Sequence, residues 1–228
     1  MLQQLDIAIL QVFNGAVDRW PAFDRALGVV SEWSYVRAAG LVCIVWWAWV
    51  AASDHQNRTR IMAGLAGVAI ATACSKLIQM SMFVHLRPFR DAGELGLTLP
   101  RTLATNWGFG SSFPSDTATL YFALAMVIFS ISQRLGIGAF LWVAVVIVLP
   151  RVYLTYHYPS DVLAGLLLGT AIVWAMQRYA TAWSGWRTLL AFEMRRPQYF
   201  YPLMFCYLYQ VVDAFQFFDH TLAYLKPH

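Results

Sequence analysis

The sequence predicts an all-α fold, a polytopic membrane bundle of five to six transmembrane helices with interfacial helices at its ends. Three observations carry that expectation. Hydrophobic residues fill 59% of the 228 positions and charged residues 12%, about half the charge of an average soluble domain. Five apolar stretches approach the ~20 residues a helix needs to cross hydrocarbon. Trp (10), Tyr (11) and Phe (15) are abundant, as the membrane–water boundary favours.

The five expected spans are residues 35–52, 61–84, 113–131, 137–156 and 160–179. Before them, residues 5–27 mix apolar positions with Asp6, Asp18, Arg19, Asp24 and Arg25. That pattern suits helix lying in the interface, with a shallow sixth span as the alternative. After them, residues 199–224 are strongly aromatic but interrupted by Pro202 and Asp213, which points to an interfacial helix or a subunit contact that would make a homo-oligomer. The chain therefore divides into an N-terminal interfacial segment (1–34), a membrane domain (35–180) and an aromatic C-terminal segment (181–228). Cys43, Cys74 and Cys206 show no paired or metal-binding spacing and read as small buried hydrophobes. The first eighteen residues lack the basic cluster of a cleavable signal peptide.

The loops set the orientation. Arg58 and Arg60, then Arg134, then Arg178, Arg187, Arg195 and Arg196 fall on one side if five spans alternate, and positively charged loops stay in the cytoplasm. The other side holds the 86–112 loop and the turn at His157. Arg87, Arg90, Arg101 and Arg151 lie there against the charge rule, so they are expected to do chemistry. With a net charge of +4 spread over loop ends, the surface suits membrane lipids, and no nucleic-acid partner is expected.

Three clusters fall at outer helix ends: His85-Leu86-Arg87-Pro88-Phe89, Ser111 to Thr117, and Arg151 followed by His157-Tyr158-Pro159-Ser160-Asp161. Pro159 suits a first helical turn, because its missing N–H has no intrahelical partner there. His157 then precedes the helix and Asp161 lies one turn inside. From that place a carboxylate reaches one ring nitrogen, fixes the tautomer and sharpens the other nitrogen as a nucleophile. Arg151 and Arg87 offer planar forks for phosphate oxygens. Ser115 and the N–H groups of a helix start at Asp116 and Thr117 add a second anion cradle. The alternatives are ordinary ones: a capping histidine, an ordinary N-cap serine and arginines snorkelling to the interface.

The three clusters, in this order and on one side, resemble the type-2 phosphatidic acid phosphatase superfamily, which carries Lys-x6-Arg-Pro, Pro-Ser-Gly-His and Ser-Arg-x5-His-x3-Asp. Arg87-Pro88, Pro114-Ser115 and Arg151-x5-His157-x3-Asp161 match. The wording is closer to bacitracin-resistance-type undecaprenyl-pyrophosphate phosphatases: Arg87-Pro88-Phe89, Ser112-Phe113-Pro114-Ser115-Asp116 and His157-Tyr158-Pro159-Ser160-Asp161-Val162. The match covers about residues 24–179. The resemblance implies a metal-independent, cofactor-free hydrolase of a lipid pyrophosphate at the periplasmic face of a bacterial inner membrane. It implies a phosphohistidine on His157 oriented by Asp161, with Arg87, Arg151, Ser115, Asp116 and Thr117 around the phosphate.

Two positions depart from the pattern. Met80 stands where the family has its lysine. Lys76, one turn earlier and some 16 Å below Arg87 at the helical rise, either joins the site or is a buried charge in need of a partner. Thr117 stands where the family has the histidine that protonates the leaving group. Losing a general acid costs an alkoxide leaving group about 10²–10⁴ in rate, whereas a lipid monophosphate is a far weaker base and departs unaided. Thr117 thus points to a pyrophosphate substrate. His85 either supplies a proton or is a plain loop residue. Two other readings stand beside hydrolysis: a phosphotransferase handing phosphate to another lipid or sugar, and a non-catalytic lipid-binding homologue.

Overall fold

A computed structural model describes residues 2–82, 85–101 and 111–213, and all regular structure among them is helical. In chain order the helices are α1 (Leu2–Asn14), α2 (Pro21–Glu32), α3 (Ser34–Ala51), α4 (His55–Ser81), the short α5 (Ala92–Leu95), α6 (Asp116–Ile131), α7 (Gln133–Trp142), α8 (Leu149–Tyr153), α9 (Pro159–Tyr179), α10 (Gly185–Arg195) and α11 (Pro197–Val212). A π-helical stretch, Val143–Val148, joins α7 to α8, so Gln133–Tyr153 forms one rod. It precedes Pro150, whose ring would otherwise clash with a carbonyl one turn back.

Four helices are long and apolar enough to cross a membrane: Ser34–Ala51, His55–Ser81, Gln133–Tyr153 and Pro159–Ala182. The fifth expected span, α6, is shorter and is buried along nearly its whole length. It is the axis around which α4 and α9 pack. Four of the expected spans are thus long enough to cross, with shifted ends, and the fifth is a shorter apolar helix. The second starts earlier, at His55, where the Asp54 side chain accepts from Asn57 N at 2.7 Å, and stops at Ser81 rather than 84. The third starts at Asp116 rather than 113, because Ser115 caps it.

Small residues set the spacing. A Cβ on Gly169 would lie 2.3 Å from the Thr119 carbonyl oxygen, and one on Gly165 would lie 2.7 Å from that of Ser115. Glycines four residues apart let α9 touch the backbone of α6. This contact draws the N-termini of both helices to the same end of the bundle.

Residues 5–27 fall in two helices, α1 and α2, with Asp6 and Asp24 buried and Asp18 exposed. Asp6 accepts from Ser160 N at 2.9 Å and from Ser160 Oγ at 2.6 Å, and Asp24 accepts from the Tyr153 hydroxyl. In the C-terminal segment, α11 runs through Pro202 and packs on α3 and α4: Phe200 stacks on Trp49 of α3 at 5.6 Å, and Tyr207 donates to the Leu65 carbonyl of α4 at 2.5 Å. The aromatic positions Phe215, Phe217 and Phe218 lie outside the described residues. The cysteines are not buried hydrophobes: Cys43 and Cys206 are exposed on the bundle's outer surface and Cys74 is half-buried. In a membrane chain an apolar neighbourhood serves lipid-facing positions as well as core ones, which is why the sequence pattern misplaced them.

At one end lie Arg58, paired with Glu193 at 2.7 Å, and Gln177, which donates to Ser130 and to the Arg60 carbonyl. The three motif clusters occupy the opposite end. Gly169→Ala is expected to cost about 1–3 kcal/mol through overpacking, whereas Gly40→Ala, with nothing within 4 Å of the new Cβ, should be neutral or slightly stabilising. Thermal unfolding of the two variants in detergent checks the contrast.

Candidate active site

The three clusters converge because backbone hydrogen bonds stitch their loops together. Ser112 N donates to the His85 carbonyl at 3.0 Å, Phe89 N to the Thr155 carbonyl at 3.1 Å, and Ser115 N to the Asp161 carbonyl at 3.0 Å. From α4, Gln79 Nε2 holds the Pro114 carbonyl at 2.6 Å. Thr155, a buried β-branched residue at φ 58, sits in a region that only over-determined turns impose on such a side chain. It turns the chain sharply between α8 and α9 just before His157.

His157 is completely buried. Its Nε2 lies 3.0 Å from Arg87 Nη1. A guanidinium only donates, so Nε2 is the acceptor and the ring proton resides on Nδ1, which donates to the Ser112 carbonyl at 3.1 Å. Burial, and then the Arg87 charge, push the His157 imidazolium below its usual range. The ring is therefore neutral near pH 7, with its free lone pair turned toward a guanidinium.

Asp161 is also fully buried, one turn into α9 and beside the His157 ring. Its Oδ2 lies 3.6 Å from His157 Nδ1, too far for a hydrogen bond. Instead Oδ2 accepts from Ser112 Oγ at 2.5 Å and from Tyr158 N at 2.9 Å. Ser112 Oγ in turn lies 3.3 Å from His157 Nδ1. Ser112 thus stands between carboxylate and imidazole, a part the sequence pattern placed in the motif but gave no role.

Arg87 is 8% exposed and Arg151 2%. Arg87 also donates to the Tyr156 carbonyl at 3.3 Å, and burial lowers its ordinary value while Asp116 and Asp161 oppose that shift. Arg151, in the last turn of α8, suits the negative end of that helix. It donates to the Ser31 carbonyl at 3.3 Å and lies 5.4 Å from the Tyr156 ring centroid.

Ser115 is the N-cap of α6, its Oγ accepting from Ala118 N at 3.3 Å, so in this state its side chain serves the helix. The Asp116 carboxylate accepts from Thr117 N at 2.8 Å and lies within the fields of Arg87, His157, Lys76 and Arg151. Thr117 is buried one residue further into the helix. Lys76 is half-buried, and its charge acts on the Asp116 carboxylate. Met80 faces outward. His85 lies inside the constellation: its Nε2 is 3.3 Å from Asp161 Oδ1 and its ring sits edge-on to Tyr158 at 4.7 Å. Asp161 therefore faces two imidazoles.

Residues 60–184 match the PAP2 superfamily. This chain belongs to that superfamily. It is 31% identical over 209 residues to the protein named as an undecaprenyl-diphosphatase, YbjG, of Escherichia coli (strain K12), covering 86% of this chain and 98% of that one. It is 28% identical over 169 residues to the bacitracin transport permease protein BcrC of Bacillus licheniformis, covering 73% and 76%. A crystal structure of a transmembrane PAP2-type phosphatidylglycerolphosphate phosphatase from Bacillus subtilis aligns at 18% identity and a TM-score of 0.49, over 78% of this chain and 85% of that chain. Family and apolar helices together make the chain a multi-pass membrane phosphatase.

Because His157 is neutral only above its lowered value, kcat/KM should fall as pH drops through a point below about 6.5. Arg87→Gln removes a charge that depresses that value, so its acid limb should move to higher pH. A pH–rate profile of both proteins checks the direction.

Proposed function

We propose that this PAP2 phosphatase hydrolyses a polyprenyl pyrophosphate, undecaprenyl pyrophosphate foremost, to the monophosphate through a phosphohistidine on His157. The observation that carries this reading is the aim of His157: a buried, neutral ring whose Nδ1–H is tied to the Ser112 carbonyl and whose Nε2 lone pair points at Arg87. Incoming phosphate oxygens take the guanidinium, which frees the lone pair for phosphorus. Arg151 and Arg87 stabilise charge on the equatorial oxygens as the bond to the leaving phosphate breaks. Asp161, acting through Ser112, holds the imidazole in the required tautomer. Water then attacks the phosphohistidine and releases orthophosphate, with no metal ion in either step.

The 31% identity to a protein named as an undecaprenyl-diphosphatase supports the substrate class. Thr117 supports it too, since a hydroxyl gives no useful acid catalysis and a phosphate leaving group asks for little. The motif clusters lie opposite the arginine-rich end, which through the positive-inside rule supports a reaction on the periplasmic side of the bacterial inner membrane.

A panel of lipid phosphates and pyrophosphates tests this reading. The wild type should release orthophosphate from lipid pyrophosphate without added acceptor, and His157→Ala should lose about 10³-fold or more. Labelled phosphate should be trapped on the wild type in acid-labile form. Absence of both turnover and label would favour a lipid-binding homologue, and release only with an acceptor would favour a phosphotransferase. Thr117→His should raise turnover of lipid monoesters by about 10²-fold relative to pyrophosphates; an unchanged ratio would sink the leaving-group reasoning.

A further inference from the structure

Arg37 belongs to none of the three clusters, yet it is buried beside them. It is 3% exposed, in the first turn of α3, where the helix dipole disfavours a cation. Its Nη2 donates to Ser34 Oγ at 3.0 Å and its Cζ lies 5.9 Å from the Tyr121 ring centroid. Among the described residues no carboxylate lies within ion-pair distance of it. Its Nε has no hydrogen-bond partner there, and neither do the buried Tyr121 hydroxyl and Ser31 Oγ. A buried cation without a countercharge is expensive, and orphaned polar atoms gathered in one place mark an absent polar ligand.

The charges have an order. Arg37 is the charge acting most strongly on Arg151, ahead of Asp116, Glu32 and Arg87. It is not among the leading charges on Arg87 or on His157. Arg151 Nη2 donates to the Ser31 carbonyl at 3.3 Å and Arg37 Nη2 to Ser34 Oγ at 3.0 Å, so both guanidinium groups border the α2–α3 junction, whereas Arg87 contacts His157. In an in-line displacement the leaving oxygen departs on the side of phosphorus away from the nucleophile. Arg87 is already bonded to His157 Nε2, so the buried Arg151 and Arg37 are the guanidinium groups left to receive a second phosphate. Ser34, the hydrogen-bond partner of Arg37, also lines a cleft of about 470 Å³ with Trp33, Tyr35 and Tyr209, which gives the lipid a way out between α3 and α11.

We propose that Arg37, with Arg151 and the Tyr121 hydroxyl, forms a second anion subsite that holds the lipid-side phosphate of a pyrophosphate while His157 attacks the terminal one. The subsite rests on the diphosphatase reading for its natural ligand, and it explains how the chain tells a pyrophosphate from a monoester. Glu32 and Asp213, which line the cleft, repel a free anion arriving from that direction, so the headgroup is drawn to the guanidinium groups and not to the cleft.

Binding of inorganic pyrophosphate and orthophosphate to His157→Ala in detergent tests the subsite apart from turnover. Pyrophosphate should bind about 10–100-fold tighter than orthophosphate, the worth of a charge-assisted contact. Adding Arg37→Met should erase that preference and leave orthophosphate binding unchanged. In the His157 background, equal losses for both anions, or no loss, would overturn the subsite. Unfolding adds a readout that a structural role cannot imitate: without anion, Arg37→Met should melt no lower than its parent, because an unpaired buried charge has gone, and a lower midpoint overturns the proposal. Arg37→Lys, which keeps the charge and loses the fork, should fold and show a reduced pyrophosphate preference; a full preference counts against the proposal. With His157 intact, Arg37→Met should lose about 10–100-fold in kcat/KM on prenyl pyrophosphate and little on prenyl monophosphate. If the wild type turns over no lipid pyrophosphate, the diphosphatase reading falls, and the subsite stands or falls on the anion-binding comparison alone.

Discussion

Positive charge held out of water at one end of an apolar bundle is the constraint around which the rest is organised. Arg37, Arg87 and Arg151 are each less than 9% exposed, and a desolvated guanidinium is tolerated only with countercharge, hydrogen bonds or aromatic faces around it. Backbone carbonyls of Ser31 and Tyr156, the rings of Tyr121 and Tyr156, and the Asp116 field supply part of that compensation. A phosphate-bearing headgroup supplies what the protein withholds. The same burial favours a neutral His157 ring, so one desolvated pocket meets both demands of the proposed reaction, an anion site and an uncharged imidazole.

The pocket can be so crowded because the helices beneath it are bare. Gly165 and Gly169 bring α9 against the α6 backbone, and two N-terminal ends then meet at the same level. Each end is stabilised by a residue outside its own helix: Asp6 from α1 binds Ser160, and the Asp161 carbonyl binds Ser115 N. The N-terminal segment is therefore structural support for the site. Leu10 clusters with Val152 and Tyr158, and Val17 with Phe89 and Tyr156, covering the loops that carry the site. A change in α1 or α2 acts on His157 through these contacts without touching substrate.

What the sequence disclosed and what it concealed divide along a physical line. Apolar length reports a membrane span directly, so the helices were legible, and the starts of α4, α6 and α9 moved to where Asp54, Ser115 or Pro159 sets the first turn. Arg87, Arg151, His157 and Asp161 were legible because motif spacing is local in sequence. Arg37, Asp6 and Asp24 were not, because their meaning depends on groups more than 80 residues away: Tyr121, Ser160 and Tyr153. Ser112 was visible in its motif but its bond to Asp161 was not, since the direct carboxylate–imidazole contact is the simpler expectation. The outward cysteines and the docked α11 show the remaining limit. Hydropathy cannot separate a face turned to lipid from a face turned to protein, and a proline six residues into a helix, as Pro202 is in α11, removes one hydrogen bond without ending the helix.

Asp116 carries the reasoning one step further. Its carboxylate sits among Arg87, Arg151, Lys76 and His157, the neighbourhood a reacting phosphate must enter. In the ligand-free state it neutralises part of the guanidinium charge and lowers the penalty of leaving that charge buried. When a phosphate arrives, the carboxylate repels it, so a singly charged anion gains less from the pocket than its cations alone would give. In the proposed subsite a pyrophosphate brings more charge and extends toward Arg151 and Arg37 as well, where Asp116 weighs less than Arg37 on Arg151. An internal carboxylate thus acts as a threshold, stabilising the empty pocket and favouring ligands whose charge is large and spread over two phosphates.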